Sequence, residues 1–258
     1  MKFSKKQNLF ILLTAIFLTN ALLAEMIGVK IFSGEGTIGA APAQISLFGN
    51  WVLDFNLTAG VMLWPAVFIT TDIINEYFGK KGVKRISYIT VGCISFAFLA
   101  IYVITLLPPA AFWLDVNSTD AEGNAFNIDF AFNKIFRQGL GIIVGSLVAF
   151  LIGQLLDVIV FQKLKKITGE KKVWLRATGS TLVSQLVDSF VVLFIAFYFL
   201  APEGSRWSVA QVTSVGIINY IYKFAIAILL TPLIYLAHYF IDRYLGGEAE
   251  KVKAEAMG

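Results

Sequence analysis

The sequence predicts an all-α membrane protein of six transmembrane helices, with both termini in the cytoplasm and a short β-hairpin outside. Three observations carry this. The chain of 258 residues is 57% hydrophobic and only 15% charged, where a soluble domain carries about a quarter charged residues. Its apolar residues form long runs rather than alternating stretches, and its mean hydropathy is +0.75. Its basic residues cluster at every second gap between those runs.

A bilayer core of about 30 Å needs about 20 helical residues. Six segments qualify, roughly 8–32, 58–79, 86–107, 134–161, 177–201 and 210–240, and they are read as one transmembrane domain covering 1–258. Lys2, Lys5 and Lys6 precede the first. Lys80, Lys81, Lys84 and Arg85 join the second to the third. Lys163, Lys165, Lys166, Lys171, Lys172 and Arg176 join the fourth to the fifth, and Arg243, Lys251 and Lys253 follow the sixth. These ends hold 16 of the 21 Lys and Arg, while 110–133 carries Asp115, Asp120, Glu122 and Asp129 and no base. Lys and Arg stay on the cytoplasmic side, so both termini are expected there. The first run begins with basic residues and contains ALLA, as a signal peptide would, but its apolar stretch is longer than the usual one and it is read as a retained span.

Two outer loops stand out. In QISLFGNWVLDF, Gly49-Asn50 separates two apolar runs, and Trp51, Leu53 and Phe55 alternate with smaller or polar residues. A β-hairpin and an irregular interfacial loop are both open readings. Residues 115–129 are polar and read as a mobile loop.

Ionisable groups inside spans cost about 2.5–3.5 kcal/mol each at the helix centre on insertion scales, and this chain has several. In the second span Asp72, Asn75 and Glu76 share one helical face. Asp72 lies about 12 Å below the cytoplasmic surface. Glu76 has Lys80 at i+4 as a local partner, but Asp72 has none, and carboxylates in a helix's last turns oppose its macrodipole. A tertiary partner, a ligand or a shared proton would offset that. In the fifth span Thr181, Ser184, Gln185 and Asp188 form a polar stripe, with Asp188 about 18 Å from Arg176. Ser184 also suits a helix-to-helix hydrogen bond. In the sixth, Asn219, Tyr220 and Lys223 share a face; Lys223 calls for a carboxylate, with Asp188 and Asp72 the candidates by depth. A structural ion pair is the alternative to a functional one.

The remaining spans add fewer groups. The first contributes Asn20 at mid-depth, read as helix glue or ligand contact, and Glu25 and Lys30 further out. The fourth holds Gln154 and Asp157, the latter about 9 Å from Lys163 and within reach of it. Gly141, Gly145, Ala149 and Gly153 recur every four residues and read as a packing face. GQLLD (153–157) and SQLVD (184–188) match at an offset of 31, in helices running in opposite directions, as in an inverted repeat. Pro65 and Pro232 are expected to kink their helices.

Other functions find little support. Cys93 stands alone and reads as a small buried hydrophobe. His238 is the one histidine, too little for a metal site or a metalloprotease motif, so neither an enzyme nor a cofactor is expected. The pI near 9.0 follows from topology, so nucleic acid is not an expected partner. No Gly-x-x-x-x-Gly-Lys motif is present, so the chain does not hydrolyse ATP.

The stretch WPAVFITTDIINEYFGKKGVKR (64–85) resembles the P-x-x-F-x-x-x-D-x-x-x-E-x-x-G segment of the queuosine precursor transporters, grouped with the vitamin uptake transporters. GQLLDVIVF, STLVSQLVDSFVVLFIAF and NYIYKFAIAILLTPLIY resemble later segments of the same family, in the same order. The resemblance implies a transporter importing 7-deazaguanine precursors of queuosine, 7-cyano-7-deazaguanine or its aminomethyl analogue, for tRNA modification. It carries the family's ionisable positions onto Asp72, Glu76, Asp157, Asp188 and Lys223. Asp72, Glu76, Asp188 and Lys223, together with Asn20, Asn75, Gln185 and Tyr220, are the expected substrate contacts, with Asp157, Gln154 and Glu25 in proton-coupling or structural roles. Tyr77 and Phe78 are further candidates for stacking on a flat ring. The partners expected are the small-molecule substrate and membrane lipid. The alternative is a substrate-capture subunit of an energy-coupling-factor vitamin transporter, which would need a separate ATPase module; none is expected here.

Overall fold

In the computed structural model, residues 3–28, 30–46, 52–137, 140–169, 172–201, 203–204 and 206–256 are described. Helix α1 (Lys5–Ile27) starts at a capping box: the Ser4 hydroxyl accepts from the Gln7 N–H, and the Gln7 side chain accepts from the Ser4 N–H. This satisfies two of the helix's orphan donors. Leu9, Leu13, Phe17, Ala21 and Ala24 form its buried stripe, and the opposite side is left apolar for lipid.

The segment after α1 folds into nested antiparallel hairpins. Strand β1 (Ile31–Ser33) leads into a single helical turn, α2 (Gly34–Thr37); β2 (Ile45–Ser46) pairs with β3 (Val52–Leu53), and β1 pairs with β4 (Asn56–Thr58). The β-hairpin reading therefore holds for the strands, and the expected Gly49-Asn50 turn with Trp51 lies outside the described residues. Glu35 ties the hairpins together. It accepts from the N–H groups of Phe55 (2.7 Å) and Ala43 (3.2 Å) and from the Ser33 hydroxyl (3.0 Å). Those donors, Phe55 first, hold its carboxyl below the usual range.

Among the described residues, five helical segments are long and apolar enough to cross a membrane. The second, α3 (Trp64–Ile104), has 41 residues, about 60 Å if straight and twice a bilayer core. It is interrupted at Gly79, whose φ of 63° and ψ of −167° are not helical. The expected loop from Lys80 to Arg85 is thus corrected: those residues are helical, and a single glycine makes the junction. Pro65 occupies the first turn of α3 rather than a kink, where its missing N–H costs nothing.

Two short helices follow, α4 (Ala111–Val116) and α5 (Ile128–Arg137). The polar stretch between them, expected as a loop, carries its own hydrogen bonds. Asp120 accepts from the N–H groups of Glu122 and Asn124, and Thr119 bridges Ala125. Helix α6 (Leu140–Thr168) and helix α7 (Val173–Leu193) run antiparallel, and α7 continues as a π-helical turn, Phe194–Phe199. Glycines allow the close approach: a Cβ on Gly145 would stand 3.2–3.3 Å from Ile195, Ala196 and Val192. Gly145, Ala149 and Gly153 are therefore a packing face; the surroundings of Gly141 lie outside the described side chains.

Helix α8 (Val209–Leu245) begins at a second capping box, Ser208 with Gln211, and contains Pro232. The chain then turns into α9 (Ala249–Glu255), whose Ala249 and Val252 join the core with Tyr77 and Leu245. Glu255 pairs with Lys6 at 2.5 Å, and the Ala256 carbonyl lies against Gly79.

Candidate functional site

A narrow polar cavity opens between α3, α6 and α7. Trp64, Phe68 and Phe150 form its aromatic wall, and Gln154, Asp157, Gln185 and Asp188 its polar one. The polar wall is built from the two matching motifs. Because α6 and α7 are antiparallel, the first residue of each motif meets the last of the other. A Cβ on Gly153 would stand 3.6 Å from the Asp188 Cβ, and the Ser184 hydroxyl donates to Asp157 Oδ1 at 3.3 Å. The short repeat thus folds into a local two-fold arrangement, with a Gln and an Asp from each helix on the same cavity.

Lys223 on α8 donates to Asp188 Oδ2 at 2.5 Å. Both side chains keep some exposure, 16% and 21%, so the pair remains open to an occupant. The expectation that Lys223 pairs with Asp188 or Asp72 resolves to Asp188. Asp157 Oδ2 and Gln185 Oε1, on residues that line the cavity, are buried without hydrogen-bond partners among the described residues. The Asp157–Lys163 contact is not formed. Six residues at 100° each turn Lys163 to another face of α6, where it is exposed.

Glu76 does not pair with Lys80, because the break at Gly79 falls between them and removes the i+4 geometry. Its Oε1 accepts from Arg176 Nη2 (2.7 Å) and lies 3.3 Å from Lys165 Nζ, with all three side chains buried. Lys165 also donates to the Glu76 carbonyl at 3.1 Å, and Gln162 Nε2 donates to the Asn75 carbonyl (3.3 Å) and Asn75 Oδ1 (2.8 Å). Arg176 Nη1 donates to the Gly169 carbonyl, and the guanidinium lies 5.9 Å from the Phe161 ring centroid. These contacts cap carbonyls left free where α3 breaks and offset the macrodipole conflict. Gln162 carries no signal in the sequence, and Lys165 and Arg176 read there only as topology charges. Nothing in the primary structure marks two of the six cations between 163 and 176 as buried.

The other expected site residues are distributed. Asp72 is buried beside a second, smaller chamber lined by Phe68 and Thr181, which also border the main cavity. Asn20 donates to the Ile16 carbonyl on its own helix at 2.8 Å and is outside the main cavity. Glu25 accepts from Ser146 Oγ at 2.5 Å, joining α1 to α6. Tyr220 is half-buried and lines neither cavity. Tyr77 points toward the C-terminal end of α8, donating to Asp242 Oδ1 (2.7 Å) beside His238 Nδ1 (3.1 Å), and Phe78 packs edge-on against Phe10. The aromatic groups at the cavity are instead Trp64, Phe68 and Phe150, with Trp64 and Phe68 stacked at 5.9 Å and 23°.

Residues 58–237 match the model of the family described as "putative vitamin uptake transporter". The chain is 28% identical over 214 residues to a "probable queuosine precursor transporter" of Bacillus subtilis, covering 81% of this chain and 83% of that one. It is 28% identical over 180 residues to the "queuosine precursor transporter" of Escherichia coli, covering 69% and 70%. A "probable queuosine precursor transporter" of Haemophilus influenzae is 29% identical, covering 68% and 66%. No solved structure matches.

Proposed function

The chain belongs to the vitamin uptake transporter family that includes the queuosine precursor transporters, and from that premise we propose that it imports 7-deazaguanine precursors of queuosine. It is a multi-pass protein of the bacterial cytoplasmic membrane and a transporter rather than an enzyme. The reading includes six spans in a single domain, with both termini inside. Counting α3 as two spans on either side of Gly79 supports it, as does the clustering of basic residues at alternate ends.

The observation that carries the substrate is the cavity where Asp157 and Gln185 hold unused acceptors beside the Asp188–Lys223 pair. A deazaguanine edge presents N1–H and the exocyclic amine as adjacent donors, which a carboxylate accepts together. Asp157 or Asp188 is that acceptor, and Lys223 or the Gln185 amide donates to the ring carbonyl. Trp64, Phe68 and Phe150 supply the faces against which a flat ring packs. A second carboxylate suits the ammonium of the aminomethyl analogue, so both precursors are substrates. The cavity is narrow in this conformation, and helices must part on one side and then the other for passage.

Import needs no ATPase module in this reading. The test is uptake of labelled cyano and aminomethyl precursors into cells lacking precursor synthesis, with this chain as the only added component. Uptake above the empty-vector level, lost in a normally inserted D188N variant, is the expected result. Uptake that appears only when an ATPase module is co-expressed would favour the capture-subunit alternative.

A further inference from the structure

We propose that Asp72 is a proton-binding site in a chamber of its own, and that its proton travels with the cargo. This rests on the transport reading above and adds the coupling ion. Asp72 is 2% exposed, and its Oδ1 has no hydrogen-bond partner among the described residues. Phe68, Ile69, Ala227 and Ile234 present carbon to the chamber, and Thr178 and Thr181 present hydroxyls. Thr178 is partly engaged, with its Oγ1 3.2 Å from that of Thr231.

Each of the other acids in the bundle has at least one side-chain partner: Glu76 has Arg176 and Lys165, Asp188 has Lys223, Asp157 has the Ser184 hydroxyl and Glu25 the Ser146 hydroxyl. Glu76 Oε2 and Asp157 Oδ2 are unpartnered too, but on carboxylates whose other oxygen is engaged, whereas Asp72 has no side-chain partner among the described residues. Charged groups around Asp72 come from three elements. Glu76 lies on its own helix, Asp157 and Lys165 on α6, and Arg176 on α7, with both cations turned to Glu76. Helix α8 presents carbon here, its His238 and Asp242 being bound to Tyr77.

A carboxylate buried among carbon and two threonine hydroxyls, with no cation paired to it, is neutral unless a cation joins it. A metal ion wants six or more oxygens, or an octahedron of them, and no cluster of three metal-binding side chains forms among the described residues. A proton needs one lone pair. Phe68 and Thr181 line both the chamber and the main cavity and form the partition between them. A proton from outer water crosses that partition and makes an O–H bond on Oδ1. When the inner side opens, that bond breaks and the proton passes to cytoplasmic water, so nothing is oxidised, reduced or consumed.

The full chain in liposomes loaded with a pH-sensitive dye tests this, with labelled aminomethyl-deazaguanine outside. Wild type is expected to acidify the lumen as label enters, D72N to lose the acidification and D72E to restore it. Infrared spectra of the same proteins provide a readout independent of transport: a protonated-carboxyl stretch present in wild type and absent in D72N. Label entry without acidification, acidification by D72N, or identical infrared spectra would overturn the assignment. If wild type moves no label at all, the transport reading falls, and the infrared difference alone still decides whether Asp72 holds a proton.

Discussion

Glu76 and Arg176, a hundred residues apart, meet at 2.7 Å with both side chains out of contact with solvent. Their pairing joins α3, beside its break at Gly79, to the start of α7, and Lys165 joins α6 to the same carboxylate. One acid therefore faces two cations, and the carbonyl at which α3 breaks is held in the same cluster.

Removing the acid leaves both cations buried without a counter-charge. Loss of one partner of a buried pair costs about 3–5 kcal/mol. Glu76→Gln is expected to lower the thermal midpoint of the detergent-purified protein sharply. Glu76→Gln combined with Lys165→Met should recover part of the loss, read by the same melt.

The Asp188–Lys223 pair borders the cavity and is partly open, so its removal should act on transport more than on folding. Asp188→Asn and Lys223→Met are each expected to insert normally and to reduce precursor uptake at least about tenfold, or ~1.4 kcal/mol. Uptake at the wild-type rate by either well-folded variant would remove the pair from the site.

Gly79 combines a positive φ with an extended ψ, a region reserved for glycine that costs about 1–3 kcal/mol for other residues. A Cβ there would also stand 2.2 Å from the Ala256 carbonyl oxygen. Gly79→Ala should destabilise the protein and free α9, making the C-terminal segment protease-sensitive. Truncation after Leu245 relieves the clash but not the backbone strain, so Gly79→Ala should cost less in the truncated chain.

The outer hairpins should respond to acid. The donors that hold Glu35 below the usual carboxylate range favour its charged form in the folded loop. Their contribution is fully present above the ordinary carboxylate pKa and is lost as the pH falls through the lowered folded value. Amide exchange in 31–58 is expected to quicken over that acidic window in wild type and to be faster, with little pH dependence of this origin, in Glu35→Gln.

What could be read in advance followed from depth and period. Apolar runs marked the chain as one of long membrane-crossing helices, though two of the expected runs belong to the single helix α3, and Lys223 called for an acid that the structure supplies in Asp188. The reading failed where a contact depended on tertiary geometry. Glu76 and Lys80 satisfy every local rule for a pair, yet one glycine between them leaves the helical region and sends the acid to Arg176. Asn20 looked like a free amide at mid-membrane but spends its N–H on the Ile16 carbonyl. Tyr77 and Phe78 adjoin the acidic face in sequence, but face α8 and α1, while Trp64 and Phe150 come to the cavity from a helix start and a different helix. Proximity along the chain has no power to choose among such partners.

The antiparallel pairing of GQLLD with SQLVD has a consequence for orientation. A near-symmetric pair of walls offers an asymmetric flat guest two poses of similar energy, flipped end for end. Lys223 engages only the Asp188 half, so it tips this near-degeneracy and leaves Asp157 the less encumbered acceptor. A single off-axis cation thereby decides which edge of a guest faces which helix, and its loss should show first as disorder in the bound pose.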